Sequence, residues 1–532
     1  MKEVELVVIG GGAAGMAAAV SAYKNGVRDI LILERNSALG DVLQQCIHNG
    51  FGLHRFKEDL TGVEFAARYA DMVEELEIPY LLNTFVIELR PDRTITAVSP
   101  EEGLMEIQAK AIVLAMGCRE RSRNALLIPG ARGAGIMTAG TAQRYLNIDG
   151  YLPGRRIVIV GSGDIGLIMA RQFVLEGCEV AAVVEIMPYS GGLPRNMKQC
   201  IEDFDIPVYY NSVISEVRGK ERVSSVLVGK VDEDRRLIPG TEFEISCDTL
   251  LISAGLIPEN ELTESAGIAM SRATKGALVT EDLQTSIPGI FSCGNVLHVH
   301  DLVDFVSEEG EEAGRNAAAW LLAQKATAPK KAASEETASE ETASNETPLP
   351  ETASKETAQI ETASKETALK ETAVSCIRVL SGDGVGGIVP QTVRRDTPLP
   401  EVHFMFRPRA RYRDAVITAR YSGTVNISGA GENSTTNAGG QAGQESMNTS
   451  GAGENSTANA VGQAGQDSRI TSEAGKINAA ARAGGQASQD SRILTQKRFL
   501  ALTLGEMCKI TIPAEKLKNV PEIVFDIEGT KV

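Results

Sequence analysis

The chain has 532 residues, of which 43% are hydrophobic, and this is enough apolar material for several packed domains. Its formal net charge of −17 disfavours nucleic acid and anionic membranes as partners, because both are negatively charged. The eight cysteines include no CxxC pair, which argues against a zinc ribbon, a disulfide framework and a thioredoxin-type redox pair. The first strand starts near Val4 and no apolar run could span a bilayer, so we expect a cytoplasmic protein.

The first predicted element is a β-α-β unit between Leu6 and Glu34. A buried strand breaks into Gly-Gly-Gly-Ala-Ala-Gly at 10–15, a small-residue helix follows, and a second strand ends in Glu34. In a dinucleotide-binding turn, glycines allow close approach to a pyrophosphate, the helix N-terminus offers free amides, and the strand-end acid accepts hydrogen bonds from a ribose. We therefore predict a dinucleotide site here.

The next segment, 36–53, is polar and rich in glycine, and in such a fold it passes along the cofactor toward its reactive end. The pattern predicts a helix over 58–77 and strands over 80–89 and 94–98. A buried strand over 111–117 is expected to return beneath the dinucleotide and to close the first part of the domain.

The opening pattern recurs between Arg155 and Glu185, with the turn Gly-Ser-Gly-Asp-Ile-Gly at 161–166. Two copies in one chain are far more specific than one and indicate a second nucleotide. Glu185 would accept a bond from a free 2′-hydroxyl and repel a 2′-phosphate, and no arginine follows it directly, so NAD is favoured over NADP. A closing strand and turn are predicted over 250–258.

Residues 285–295, TSIPGIFSCGN, predict a turn, a short strand and a Gly-Asn pair, and a helix is expected from about Asp304 with its N-terminus toward the cofactor. With the two turns, this segment resembles the pyridine-nucleotide oxidoreductase superfamily of flavoproteins that bind two dinucleotides. Within it, QQCIHNGFGLHRFKEDLTG, GCRERSR, GSGDIGLIMARQ and CGNVLHVHDLVDFVSEEGEEAG resemble a bacterial family of FAD-dependent oxidoreductases.

The resemblance covers residues 1–325 and implies FAD and NAD as cofactors. It also implies two partners, a flavoprotein similar to glycerol-3-phosphate dehydrogenase and a small cysteine-rich protein. The implied FAD contacts are Gly10, Gly12, Ala14, Gly15, Glu34, Arg35, Val86, Ala115, Gly117, Gly294, Asn295, His298 and His300. The implied NAD contacts are Gly161, Gly163, Asp164, Ile165, Gly166, Glu185 and Gly255.

Two positions depart from the superfamily pattern. Gly294 is followed by Asn295 where an aspartate is usual, so a neutral amide would bond the ribityl chain. Asp41 follows Gly40 where a second glycine is expected beside the pyrophosphate. Its carboxylate would oppose the phosphate charge unless it turns outward.

The predicted fold is α/β, with two Rossmann-like dinucleotide-binding domains, the NAD domain inserted in the FAD domain, and a small C-terminal β domain. Two low-complexity tracts are predicted to be functionally silent because they offer few side chains for a core. The predicted limits are 1–120 and 276–326 for the FAD domain, 121–275 for the NAD domain, 327–373 for a linker with repeated Glu-Thr, and 374–532 for the β domain, interrupted at about 423–495.

Four of the five histidines, His48, His54, His298 and His300, lie in two segments that such a fold brings together at the flavin. Cys46 precedes His48 by two residues, and a cysteine near a histidine can be held as a reactive thiolate. Cys46 and His48 are therefore the candidate catalytic residues, expected on the flavin face away from the nicotinamide. Two alternatives stay open. These side chains only pack beside the flavin, or Cys46, His48, His298 and His300 bind a metal ion, although no spacing here is specific for a ligand set.

The sequence thus predicts an FAD-dependent oxidoreductase that exchanges hydride between NAD(H) and flavin and passes electrons to or from a second couple. One alternative is the NADH/FAD subunit of a heteromeric dehydrogenase whose partner oxidises glycerol 3-phosphate or an amino-acid-type substrate. An alternative of another class is a scaffold that binds flavin without turning it over.

Overall fold

The structure is a computed structural model, and the residues that it describes are 1–327, 376–422, 491–503, 506–518 and 520–531. All of them except Ser491 belong to one compact unit, Met1–Ser422 with Arg492–Val532. The predicted Glu-Thr linker and most of the predicted insertion lie outside the described residues.

The first part of the chain forms a sheet in the order β5-β2-β1-β8-β7-β6. Strands β5, β2, β1 and β8 are parallel, and β7 and β6 continue the sheet antiparallel. Every residue of β2 is buried, as expected for a parallel strand covered on both faces. The elements are β1 (Lys2–Ile9), α1 (Ala13–Lys24), β2 (Ile30–Leu33), β3 (Asn49–Phe51), β4 (Leu60–Thr61), α2 (Gly62–Glu75), β5 (Tyr80–Leu81), β6 (Phe85–Leu89), β7 (Thr94–Ser99), β8 (Gly103–Leu114) and β9 (Cys118–Glu120).

Two predicted elements of this region differ from the structure. Helix α2 begins at Gly62 and not at 58, because Thr61 and Glu64 each bond the backbone N–H of the other in a capping box. The predicted strand over 80–89 is divided into β5 and β6, because Asn83 between them has a positive φ of 49°, which extended chain does not adopt.

The second part forms a parallel sheet in the order β10-β17-β11-β12-β13 and an antiparallel sheet in the order β14-β15-β16. Its first and last connections to the rest of the chain, β9 and β18, pair with each other. The elements are β10 (Ile136–Thr138), α3 (Ala139–Asn147), β11 (Arg156–Val160), α4 (Asp164–Leu175), β12 (Glu179–Val184), α5 (Pro194–Cys200), β13 (Val208–Tyr209), β14 (Ser212–Gly219), β15 (Val223–Lys230), β16 (Phe243–Ser246), β17 (Thr249–Ile252) and β18 (Leu256–Pro258).

The chain then returns to the first sheet and continues into β structure. The remaining elements are α6 (Glu261–Ser265), β19 (Ile290–Ser292), α7 (Val303–Thr327), β20 (Cys376–Ser381), β21 (Val385–Val389), β22 (Thr392–Arg394), β23 (Glu401–Pro408), β24 (Tyr412–Ser422), β25 (Ser491–Leu502), β26 (Cys508–Pro513) and β27 (Glu522–Lys531). Strand β19 pairs in parallel with β8, so the second sheet is an insertion in the first. The predicted α/β fold with an inserted Rossmann-like unit is confirmed.

Helices α1 and α7 pack closely because small residues face each other. A Cβ on Gly310 would lie 2.3 Å from the carbonyl oxygen of Ala14, and one on Gly314 would lie 2.0 Å from that of Ala18. Both distances are far below a normal contact, so any larger residue would push the helices apart. This contact brings the start of α7 next to the first glycine turn.

The C-terminal β structure consists of two sheets, in the orders β22-β20-β27-β24-β25 and β21-β23-β26. Their facing side chains form a separate core around Phe404, Phe406 and Phe525, all of which are fully buried. This β structure contacts the part formed by residues 1–327 through polar bonds, among them Arg394 to the buried carboxylate of Glu281 (3.0 Å). The predicted β-rich C-terminal region is confirmed.

Candidate functional site

A cavity of about 400 Å³ opens at the carboxyl ends of β1 and β2. Parallel α/β sheets bind ligands at this edge. Six residues predicted to contact FAD line the cavity, namely Gly10, Gly12, Glu34, Arg35, Val86 and Ala115. Glu259, Leu262 and Ser265 line it too, and sequence reasoning missed them because they come from the returning chain and carry no local motif.

The glycines of the first turn have separate steric roles. Gly10 has a φ of +105°, and a Cβ there would lie 2.4 Å from the carbonyl oxygen of Ala115. A Cβ on Gly15 would lie 1.8 Å from the carbonyl oxygen of Gly10. Gly12 is different, because a Cβ there would meet only Asp41 at 3.5 Å and would otherwise project into the cavity. The turn therefore leaves room for a pyrophosphate at the N-terminus of α1, and these residues fit FAD.

Glu34 lies at the end of β2, where it holds the turn. Its Oε2 accepts a hydrogen bond from the N–H of Gly11 (2.7 Å) and its Oε1 accepts one from the N–H of Asn36 (2.7 Å). Burial raises the pKa of this carboxyl group. Each carboxylate oxygen retains a second lone pair, so Glu34 can still accept a bond from a ribose hydroxyl.

Asp41 is one of the residues that line the cavity. Its Oδ2 lies 4.0 Å from the position that a Cβ on Gly117 would take. Asn36 holds it there by donating a hydrogen bond to Oδ1 (2.8 Å). Asp41 also has a positive φ of 46°, a conformation that suits glycine. That the charge of Asp41 opposes a bound pyrophosphate stays a prediction.

Cys46 does not have the surroundings of a reactive thiolate. Burial, with the nearby charge of Asp41, raises the pKa of the Cys46 thiol to about 12. The thiol donates to the carbonyl oxygen of Val42 (3.3 Å), and its Sγ lies 3.8 Å from the side-chain oxygen of Gln143. At neutral pH the thiol is protonated, which disfavours the predicted thiolate and favours the packing interpretation.

His48 lies near residues of the inserted unit, and its expected position on the flavin face away from the nicotinamide stays a prediction. The charges of Arg195 and Asp164 both reach its imidazole, whose pKa is lowered chiefly by burial. Gly50 has a φ of +119°, and a Cβ at this position would lie only 2.9 Å from the guanidinium of Arg195. The turn thus packs the segment against α5. Cys46 and His48 are not among the residues that line the 400 Å³ cavity.

The two histidine-bearing segments do meet, and Asp304 joins them. Its buried carboxylate accepts hydrogen bonds from the backbone N–H groups of Gly52 (3.1 Å), His54 (3.0 Å) and Arg55 (2.7 Å). The ring of His54 lies 5.5 Å from that of Phe305. The sequence predicted only that a helix begins near Asp304 and gave no signal for these hydrogen bonds.

We expect Asp304→Asn to loosen the 52–55 loop, because an amide offers one acceptor oxygen where the carboxylate offers two. One buried N–H would lose its partner, at a cost of about 1–2 kcal/mol. Hydrogen exchange of the Gly52, His54 and Arg55 amides should accelerate about tenfold or more. Glu311→Gln is the control, since Glu311 joins the same loop to α7 only through the side chain of Arg55. Equal protection in both variants would contradict the role of Asp304.

The second glycine turn repeats the arrangement of the first. A Cβ on Gly161 would lie 2.1 Å from the carbonyl oxygen of Ser253, whereas Gly163 has open space. The buried Glu185 accepts hydrogen bonds from the N–H (2.8 Å) and hydroxyl (2.7 Å) of Ser162 and from the N–H of Met187 (2.8 Å). The strand-end carboxylates of both turns therefore have the same function in anchoring their turns.

The other predicted NAD contacts surround this turn. Asp164 begins α4, but its carboxylate is engaged within the unit, accepting bonds from the N–H of Leu193 (2.8 Å) and the amide of Asn196 (2.7 Å). Ile165 and Gly166 follow in the first turn of α4. Gly255, between β17 and β18, has a φ of +93°. These positions remain predictions as nucleotide contacts.

Arg411 lies next to the second turn although it is more than two hundred residues away in the chain. Its guanidinium donates to the carbonyl oxygen of Ser190 and lies 4.3 Å from the centre of the Tyr189 ring. Both residues belong to the loop after Glu185. The sequence showed no arginine near Glu185, because this one comes from the C-terminal β structure.

The Gly-Asn turn after β19 is held by Glu309, a residue that the sequence analysis missed. Glu309 Oε2 accepts from the N–H of Gly294 (2.6 Å), and Oε1 lies 2.7 Å from Nε2 of His298. The oxygen Oδ1 of Asn295 accepts from the N–H of His300 (2.9 Å). The structure thus groups His298 and His300 with Glu309, and the proposed ligand set of Cys46, His48, His298 and His300 does not assemble.

Glu312, one turn further along α7, should make stability depend on pH. Burial raises the pKa of Glu312 from 4.5 to about 7, and the charge of Glu309 adds to the rise. Because folding raises this pKa, the contribution of the Glu312 carboxyl group to stability is complete below pH 4.5. It is lost as the pH rises through about 7. We expect Glu312→Gln to raise the free energy of unfolding by about 1–3 kcal/mol at about pH 8 and by little at about pH 4.

Thermal unfolding across this pH range tests the prediction, with Glu308→Gln as the exposed control on the same helix. A difference between Glu312→Gln and the unsubstituted protein that stays constant with pH would contradict it.

Known proteins share this architecture. Residues 4–327 match the pyridine nucleotide-disulphide oxidoreductase family. Hydrogen cyanide synthase subunit HcnB from Pseudomonas aeruginosa is 27% identical over 352 residues, which cover 61% of this chain and 72% of that protein. An opine oxidase subunit from Agrobacterium tumefaciens is 25% identical over 338 residues, covering 60% of this chain and 65% of that protein. The crystal structure of thioredoxin reductase from Lactococcus lactis, 21% identical, superposes with a TM-score of 0.50 over 60% of this chain and 99% of that chain.

None of the helices within the described ranges has both the length and the apolar character required to cross a membrane. The predicted superfamily and cofactors are confirmed by the match over residues 4–327. With its two glycine turns and the inserted second sheet, the chain belongs to the pyridine nucleotide-disulphide oxidoreductase family, whose members are FAD-dependent enzymes that use NAD(P)H.

Proposed function

We propose that the chain binds FAD in the cavity at the first glycine turn, binds NAD(H) at the second, and exchanges hydride between them, with electrons passing to or from a second couple outside the chain. The observation that supports this proposal is that both glycine turns have the same arrangement. Each turn combines open space at a central glycine with a buried carboxylate that bonds the turn backbone, Glu34 in one case and Glu185 in the other.

When bound, FAD supplies the hydride-accepting ring, and the residues of this chain supply binding and orientation. The N-termini of α1 and α4 would offer backbone N–H groups and positive dipoles to the two pyrophosphates. Glu34 and Glu185 would accept hydrogen bonds from the riboses, because each is fixed by its own backbone donors and keeps free lone pairs. The carboxylate of Asp41 would act against this binding.

The second couple is proposed to lie outside the chain because the sequence contains no CxxC pair. The two cysteines that are not fully buried, Cys46 and Cys118, are free thiols. Cys46, the thiol first considered, has a pKa raised to about 12 by burial. Electrons would therefore leave through contact with a partner and not through a disulfide of this chain.

The relatives' names favour a partner protein. The hydrogen cyanide synthase, opine oxidase and sarcosine oxidase relatives are each named as one subunit of a larger enzyme. We propose that this chain is likewise the NADH/FAD subunit of a heteromeric dehydrogenase. A second flavoprotein would oxidise glycerol 3-phosphate or an amino-acid-type substrate, and a small cysteine-rich protein would complete the complex.

Anaerobic mixing of the purified chain with NADH tests the hydride exchange. Rapid bleaching of the long-wavelength flavin absorption is the expected result. A stable flavin that NADH does not bleach would overturn the proposal and favour the non-catalytic scaffold. Copurification of a second flavoprotein from the native host would support the heteromeric assembly, and a homogeneous chain that oxidises a substrate with NAD⁺ unaided would contradict it.

The coenzyme preference provides a sharper test. We expect NADH to reduce the flavin faster than NADPH, because the carboxylate of Glu185 repels a 2′-phosphate. Glu185→Gln keeps one acceptor oxygen for the two donors of Ser162, places its NH2 group toward the N–H of Met187, and removes the charge. It should reduce the ratio of the NADH rate to the NADPH rate about tenfold, or about 1.4 kcal/mol. The measurement is stopped-flow reduction with both coenzymes.

Glu34→Gln is the matched control, since it makes the same change at the other turn. It should alter FAD retention and leave the NADH-to-NADPH ratio unchanged. If the unsubstituted protein used NADPH as well as NADH, the acid-repulsion argument would fail, and Arg411→Met would then show whether the β-structure arginine binds the 2′-phosphate.

A further inference from the structure

The loop after β19 and the second turn of α7 bring three side chains of metal-binding residue types together inside the protein. They are His298, His300 and Glu309, all buried, and one donor atom of each lies within 4.8 Å of the others. The side chains are 7%, 0% and 1% exposed. A buried carboxylate is unfavourable unless a cation or strong donors compensate it. Glu309 has such donors in the N–H of Gly294 and Nε2 of His298, so the atom of the cluster that needs an explanation is Nε2 of His300.

The protonation of His300 follows from its neighbours. Its backbone N–H donates to Oδ1 of Asn295 (2.9 Å), so that atom is an acceptor and the amide orientation is fixed. The ring atom Nδ1 of His300 lies 3.2 Å from the same oxygen and must carry its proton to bond it. In the neutral ring the lone pair is then on Nε2. A histidine that coordinates a metal through Nε2 requires this tautomer.

The lone pair on Nε2 of His300 faces the cluster. This atom is buried and has no hydrogen-bond partner, and its nearest carboxylate oxygen, Oε2 of Glu309, is 3.6 Å away. A nitrogen lone pair and a carboxylate oxygen repel each other unless a positive charge lies between them. Either a second proton on His300 or a metal ion satisfies both atoms.

We propose that His298, His300 and Glu309 bind a divalent metal ion of the zinc type. Two imidazole nitrogens and one carboxylate oxygen form a donor set that zinc accepts at about 2.0–2.1 Å, with a fourth position for water or a further ligand. Tetrahedral ligands at that distance are about 3.3 Å apart. Nε2 of His298 lies 2.7 Å from Oε1 of Glu309, and Nε2 of His300 lies 3.6 Å from Oε2, so each imidazole nitrogen faces one oxygen of the same carboxylate.

The other hydrogen bonds of His300 and Glu309 suit metal binding. Metal-bound histidines usually donate their other N–H to a fixed acceptor, as Nδ1 of His300 does to Asn295. Oε2 of Glu309 accepts from the backbone N–H of Gly294 (2.6 Å), which orients the carboxylate. A metal ion here would join the Gly294–His300 loop to α7, so its effect is to hold the loop and not to react.

Metal analysis of the full-length protein, prepared without a polyhistidine tag and dialysed, is the direct test. We expect one retained zinc ion per chain, or uptake of one added Zn²⁺ that survives gel filtration. Glu309→Gln and His300→Gln should lose this ion. Glu312→Gln, on the same helix, and His54→Ala, in the adjacent loop, are the controls and should retain it.

Cobalt substitution gives a second readout that does not depend on activity. Co²⁺ in the oxidised protein should show the visible bands of a four-coordinate ion, and these should be absent in Glu309→Gln. Circular dichroism and FAD content establish whether each variant is folded. Folded variants with the metal content of the unsubstituted protein would overturn the proposal.

The unsubstituted protein is decisive even if the variants fail to fold. If it holds no metal after growth with zinc and takes up neither Zn²⁺ nor Co²⁺, the proposal is wrong. A metal-containing protein that NADH does not reduce would refute the proposed function alone, so the two failures are distinguishable.

Discussion

Gly15→Ala is expected to abolish FAD binding and to destabilise the chain. A Cβ at this position would lie 1.8 Å from the carbonyl oxygen of Gly10, and both atoms belong to backbone that the first turn holds in place. Helix α1 would have to move away from β1, and it could not do so freely because α7 packs closely on its other side. Overpacking of this kind costs about 3 kcal/mol or more, since no flexible side chain can yield. The FAD dissociation constant should rise by about a hundredfold or more.

The measurements are FAD content after gel filtration and the midpoint of urea unfolding. Gly163→Ala is the matched control, because it makes the same substitution in the second turn at a glycine with open space around it. It should leave stability and FAD content unchanged and weaken only NADH binding. A Gly15→Ala protein that retains FAD with unchanged stability would show that the two glycine turns do not have the geometry described above.

Asp41→Gly is expected to strengthen FAD binding. Asp41 lines the same cavity as Gly12, where the pyrophosphate would lie, and its Oδ1 accepts a hydrogen bond from Asn36. Like charges about 5 Å apart in a partly buried site repel by about 1–3 kcal/mol. Removing the carboxylate should therefore lower the FAD dissociation constant by about tenfold or more.

A second substitution separates charge from backbone strain. Asp41→Asn removes the charge but keeps a side chain at a φ of 46°, so it should tighten FAD binding without raising stability. Asp41→Gly should do both, with a gain of about 1 kcal/mol in the free energy of unfolding from the relieved conformation. Calorimetric titration of the flavin-free protein with FAD, and thermal unfolding of both variants, test this. Weaker FAD binding in both variants would mean that Asp41 contributes to the cofactor site.

Gly15 and Asp41 have opposite effects on the same site. Gly15 allows the close packing that a dinucleotide-binding turn requires, whereas Asp41 adds a negative charge that a pyrophosphate disfavours. A protein with weakly held FAD and an intact turn is the expected combination. Flavin occupancy after purification would accordingly depend on added FAD, as mass action requires.

Local sequence was sufficient for the two glycine turns, their strand-end acids and the α/β order. A dinucleotide turn is built from about thirty consecutive residues, so strand periodicity, glycine spacing and the terminal acid are all visible in one stretch of chain. The same locality explains the errors at element ends. The start of α2 depended on the capping box of Thr61 and Glu64, and the break between β5 and β6 on the conformation of Asn83.

Tertiary structure alone decided the contacts between distant segments. Asp304 bonds residues about 250 positions earlier in the chain, and Arg411 reaches the loop after Glu185 from another sheet. The place of Asp41 at the cavity, the position of His48 against α5, and the grouping of Glu309 with His298 also depended on which elements pack together. A residue's type and spacing show what it can bind, but only the packed structure shows what lies within 3 Å of it.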